Sequence, residues 1–104
     1  MAKTIDISVD GRGVATLTLA REDKHNALSA QMIAELTEAA GRLGSDPAVR
    51  VVVLTGAGRS FCAGGDLAWM QKQMTADAAT RAAEARVLAE MLQLLNTLPQ
   101  PVIG

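Results

Sequence analysis

The residues best suited to chemistry in this 104-residue chain lie between Gly56 and Asp66, where Gly56, Gly58, Gly64 and Gly65 accompany Cys62 and Asp66. An apolar, β-branched run, Val51-Val52-Val53-Leu54, precedes them and is short enough for a strand buried on both faces. The apolar segment Leu67-Ala68-Trp69-Met70 follows and opens a helix. A helix start carries N–H groups with no partner inside the helix, at the positive end of the macrodipole. Glycine at 64 and 65 removes the Cβ that would hold a ligand off the backbone. Strand, loop and helix start therefore read as a main-chain site for a developing negative charge or a phosphate. The alternative is a tight strand-to-helix connection that binds nothing.

Two nucleotide readings fail at a required residue. A phosphate loop needs Lys and then Ser or Thr after its last glycine, and Asp66 stands there; a dinucleotide fingerprint needs glycine at position 61, which is Phe61. The run Ser60-Phe61-Cys62-Ala63-Gly64-Gly65-Asp66-Leu67 instead resembles the signature of the crotonase (enoyl-CoA hydratase/isomerase) superfamily. A second stretch, Lys24-His25-Asn26-Ala27-Leu28, resembles the loop that this family places between its first hairpin and first helix. Glu22 departs from the family there by replacing the usual proline, which implies a looser loop.

The resemblance implies an acyl-CoA thioester as ligand. The N–H of Gly65 would be one of two donors to the thioester oxygen, with Ala63, Gly64, Asp66 and Leu67 along the CoA path. Lys24, Asn26 and Ala27 would face the CoA moiety, and Lys24 could meet its phosphates or remain a solvated surface lysine. Trp69 and Met70 would shape the acyl pocket or serve the core. Coenzyme A enters as part of the substrate, so no separate cofactor and no metal is expected. Asp66, negative at an anion site, is better suited to cap its helix than to do chemistry.

By the same resemblance the fold is α/β, the N-terminal part of a crotonase-like ββα spiral. Residues 1–104 would be the N-terminal part of one acyl-CoA-binding domain, ending ahead of the second oxyanion loop and the acidic residues that handle water and protons. The implied activity of the parent protein is hydration of the C2=C3 bond of an enoyl-CoA, nearest in look to hydratases of branched acids such as methylglutaconyl-CoA. The 104 residues alone would lack turnover. Isomerase, hydrolase or decarboxylase chemistry on the same scaffold is one rival, and a non-catalytic acyl-CoA-binding fragment is another. A homotrimer or pair of trimers is the implied assembly.

The positioning elements read off the chain in order. Ile5, Ile7 and Val9 alternate with Asp6 and Ser8 as a half-buried strand, Asp10 to Gly13 make a turn, and Val14 to Leu19 alternate again, giving a hairpin. Ser29 can cap a helix whose apolar face is Ile33, Leu36, Ala40 and Leu43, stopped by Ser45-Asp46-Pro47. Thr75 to Leu98 reads as one long helix capped by Thr75 or Asp77, with a stripe of Val87, Leu88, Met91, Leu92, Leu95 and Leu98. Pro99 and Pro101 end it before a strand at Val102-Ile103.

Composition removes several classes. A formal charge of −1 with no basic block argues against nucleic acid or an anionic membrane as the main partner. One cysteine excludes an internal disulfide or a cysteine-based zinc site. No apolar window reaches membrane-span length and the first residues do not form a secretory signal, so a cytoplasmic setting is expected. His25, the single histidine, has no spaced Ser or second ligand, and the glutamates at 22, 35, 38, 84 and 90 fall on a charged loop or helix faces read as exposed.

Overall fold

A computed structural model describes residues 3–59, 61–62 and 64–104. Four strands form one mixed sheet in chain order: β1 (Ile5–Val9), β2 (Val14–Leu19), β3 (Val51–Gly56) and β4 (Val102–Ile103). The first two make the expected antiparallel hairpin, whereas β3 pairs parallel with both β2 and β4. Parallel neighbours require a crossover, which α1 (Ala30–Gly44) supplies between β2 and β3. A short 3₁₀ turn, Glu22–Lys24, leads into it. After β3 come α2 (Leu67–Thr75) and α3 (Ala78–Asn96).

Alternation decides which side of the sheet is covered. Ala15, Leu17 and Leu19 of β2 are buried, and the register sets Val52 and Leu54 of β3 on the same face. Helix α1 lays Met32, Ile33, Leu36, Ala39 and Leu43 onto that face, and Met91 of α3 joins this core. Gln100 fastens the far end, its amide donating to the carbonyls of Leu43 at 2.7 Å and Val49 at 3.3 Å.

Several expectations change. Val51, Val53 and Leu54 are half-buried, so β3 is central in the sheet without being buried on both faces. In β1 only Ile5 is buried; Ile7 and Val9 share its face but stay 37% and 46% exposed, because α1 covers the sheet centre and leaves this edge open. An open groove of about 520 Å³ lies there, lined by Ile7, Val9, Glu35, Glu38 and Arg42 among others. The long helix begins after Asp77, not at Thr75: the Asp77 carboxylate accepts from the N–H of Thr80 at 2.7 Å, and α2 runs on to Thr75. Its apolar stripe splits, with Met91 buried, Leu88, Leu95 and Leu98 leaning on the core, and Val87 and Leu92 exposed. Glu35 is half-buried and bonded: one oxygen accepts from the Thr4 N–H and hydroxyl, each at 2.7 Å, and the other from Gln31 at 2.9 Å. Burial would raise its pKa, but those donors outweigh it and hold the carboxyl below its usual range.

No helix among the described residues is long and apolar enough to cross a membrane.

Candidate functional site

The glycine loop is held open by backbone pairing at one point. Leu28 and Gly65 form a single parallel bridge, in which the Leu28 N–H donates to the Gly64 carbonyl at 2.6 Å and the Asp66 N–H donates to the Leu28 carbonyl at 2.7 Å. Both bonds use the neighbours of Gly65. In extended chain successive N–H groups point to opposite sides. The Gly65 N–H therefore turns away from Leu28, and among the described residues no acceptor takes it. Gly64, at φ +99°, makes the turn into the bridge in a region that glycine enters at no steric cost.

Asp66 is the junction of the site. One carboxylate oxygen accepts from the Trp69 N–H at 3.0 Å, which makes Asp66 the N-cap of α2 as its residue type suggested. The other accepts from the Arg21 guanidinium at 2.9 Å, in an ion pair whose side chains are only 18% and 13% exposed. The Trp69 N–H first, and then the Arg21 contact, hold the Asp66 carboxyl below its ordinary pKa. A second guanidinium nitrogen of Arg21 donates to the Ala27 carbonyl at 2.7 Å.

The loop ahead of α1 is equally fixed. Asn26 is fully buried; its side-chain oxygen accepts from the Arg21 N–H at 2.7 Å and its amide donates to the Ala57 carbonyl at 2.9 Å. His25 and Asn26 both take left-handed backbone, at φ 52° and 57°. Glu22 opens the 3₁₀ turn and leans on Gly58, whose φ of +79° and crowding against Glu22 leave no room for a Cβ. Ser29 caps α1 by accepting from the Met32 N–H at 3.2 Å.

The other expected site residues fall into two groups. Lys24, Gly64, Leu67 and Met70 are exposed, with Leu67 at 74%. Ala27 is buried, and Cys62 and Trp69 are half-buried against the core cluster, consistent with a packing role for Cys62. A Cβ built on Gly65 would stand 3.3 Å from Met70 Cγ and 3.6 Å from Trp69, so these two side chains fill the space beside the Gly65 Cα. Ala63 lies outside the described residues. No group of three His, Cys, Asp or Glu side chains gathers as a metal site among the described residues.

The profile of the enoyl-CoA hydratase/isomerase family matches residues 10–104. The chain belongs to that family. It is 40% identical over 95 residues to a probable enoyl-CoA hydratase of Mycobacterium leprae, covering 88% of this chain and 35% of the relative. It is 38% identical over 93 residues to the 1,2-epoxyphenylacetyl-CoA isomerase of Escherichia coli, covering 88% and 36%. The crystal structure of an enoyl-CoA hydratase from Shewanella pealeana superimposes with a TM-score of 0.91 at 33% identity, over 95% of this chain and 37% of that one. The chain thus spans little more than a third of these relatives, and its sheet and helices form part of the α/β crotonase fold.

One site residue of this family member escaped the sequence reading. Arg21 sits 45 positions from Asp66, and neither periodicity nor local spacing connects them. The available signal was the isolated acid at the glycine loop, which needs a cationic partner once it is shielded from water. An open groove of about 280 Å³ beside the pair is lined by Arg21, Ser29, Gln31, Asp66, Trp69 and Lys72; Gly65 does not line it.

Proposed function

We propose that the protein carrying this chain adds water across the C2=C3 bond of an enoyl-CoA thioester, with the Gly65 N–H as one donor to the thioester oxygen while the enolate forms. The observation that supports this most directly is the Gly65 amide itself, bracketed by two short bridge hydrogen bonds and left without an acceptor among the described residues. A donor held in advance stabilises charge without reorganising when the charge appears, and removing one such donor typically costs about 10²–10³ in rate. Met70 and Trp69, which lie beside the Gly65 Cα, would bound the acyl group, and the exposed Lys24 would meet CoA phosphates. A branched acyl group is the subclass we favour, on the loop sequence alone.

The acid and base that hydration requires come, in this reading, from outside these 104 residues. Asp66 is committed to the α2 cap and Arg21, and Glu35 to Thr4 and Gln31. An isomerase on the same scaffold is the second reading, supported by the similarity to the E. coli isomerase.

Titration with a saturated short-chain acyl-CoA and with free CoA tests the amide's role. The thioester should bind more tightly, and Gly65→Val should remove the difference. Binding that is insensitive to Gly65→Val, or a free nucleotide that binds more tightly than CoA, would count against the reading. An enoyl-CoA absorbance assay tests the second claim: turnover by the 104 residues alone would refute it.

A further inference from the structure

We propose that Arg21 is a positioning residue for the Gly65 amide: it touches no substrate, yet it sets the direction in which that N–H points. The proposal rests on the thioester reading above and adds the side chain that fixes its geometry. A single planar guanidinium spans two chain segments, with one nitrogen on the Ala27 carbonyl at 2.7 Å and another on the Asp66 carboxylate at 2.9 Å. Ala27 immediately precedes Leu28 and Asp66 immediately follows Gly65, so the two anchor points flank the two members of the bridge. Arg21 thereby clamps the spacing of the bridge from one side.

The clamp is itself held. The Arg21 N–H donates to the Asn26 side chain at 2.7 Å and its carbonyl accepts from the Asn26 N–H at 2.8 Å. Arg21 and Asp66 are both largely shielded from solvent, where ionic contacts are screened less than on an open surface. Lysine carries a point charge and cannot reproduce a planar two-nitrogen contact. An error of about 1 Å in the placement of a stabilising group can cost on the order of 10²-fold, which makes the clamp chemically consequential.

The test compares two ligands for the full chain: a saturated acyl-CoA thioester, and the thioether analogue in which the carbonyl is a methylene. Only the first offers an oxygen to the Gly65 N–H. The unmutated chain should prefer the thioester, and Arg21→Gln and Arg21→Lys should each cut that preference about tenfold or more while thioether affinity changes little. Far-UV circular dichroism checks that the variants fold. If Arg21→Gln does not fold, Arg21→Lys, which keeps the charge but not the planar two-nitrogen contact, carries the test with the same expected loss of preference. Folded variants that retain the full preference overturn the proposal, as does an equal loss of affinity for both ligands, which would assign Arg21 a purely structural role. Equal affinity of the unmutated chain for the two ligands overturns the thioester reading, and the positioning role with it.

Discussion

The side-chain amide of Asn26 donates to the carbonyl of Ala57 at 2.9 Å, joining the loop ahead of α1 to the residue that follows β3. Because Asn26 is fully buried, replacing it by Ala leaves the Ala57 carbonyl and the Arg21 N–H without their partner. Each such orphan costs about 1–3 kcal/mol. Asn26→Ala should therefore lower the free energy of unfolding by about 2–6 kcal/mol in urea titrations. A loss under about 0.5 kcal/mol, the range of an ordinary surface substitution, would mean that solvent substitutes for the amide.

Asp66 gives a pH dependence with a definite sign. Its folded pKa lies below the ordinary 3.8, held down by the Trp69 N–H and then by Arg21. A depressed carboxyl contributes stability that is complete above the unfolded pKa and is lost as pH falls from about 3.8 through the lower, folded value. Urea midpoints measured from pH 5 downward should fall more steeply for the unmutated chain than for Asp66→Asn. Parallel curves would show that the carboxylate is not the acid-labile group at this junction.

Crowding at Gly65 predicts a coupled pair. The Cβ of Gly65→Ala would press on Met70 Cγ at 3.3 Å, closer than comfortable contact. Met70→Ala, at an exposed position, should cost little alone and should recover most of what Gly65→Ala loses. A double-mutant cycle in stability is expected to give a coupling of about 0.5 kcal/mol or more. Additivity would mean that the loop moves aside and Met70 does not confine it.

Adjacent residues of α3 should respond very differently. Met91 is buried to 1% while Leu92 stands 52% exposed. Met91→Ala is expected to cost about 2–5 kcal/mol through lost burial and an incompletely collapsed cavity, whereas Leu92→Ala should stay within about 0.5 kcal/mol. Similar losses at both positions would require a second surface packed on the Leu92 side of the helix.

Much of this architecture is legible in the residues themselves. Alternation marks β1 and β2, periodicity and Ser29 mark α1, and the acid after two glycines marks the start of α2 at Asp66. Each is a local signal, carried within a few residues. What escapes is the depth of burial and any contact between distant segments. Periodicity groups Ile7 and Val9 with Ile5, and Val87 and Leu92 with Met91, but it does not show that α1 covers Ile5 and leaves Ile7 and Val9 open, or that Val87 and Leu92 face away from the core. Likewise a loop arginine and a helix-capping aspartate each have an ordinary local explanation, and only the folded chain brings Arg21 to Asp66.

The bridge between Leu28 and Gly65 also bears on how the chain acquires its shape. The β1–β2 hairpin and α1 rest on contacts between near neighbours, of the kind that form in microseconds. The bridge joins Leu28, just ahead of α1, to Gly65, just ahead of α2, so forming it closes a loop that includes α1 and β3. Contacts that close large loops come late and at greater entropic cost. The oriented amide therefore exists only where those distant segments have come together, and a ligand for that amide would draw the population toward the folded structure by mass action.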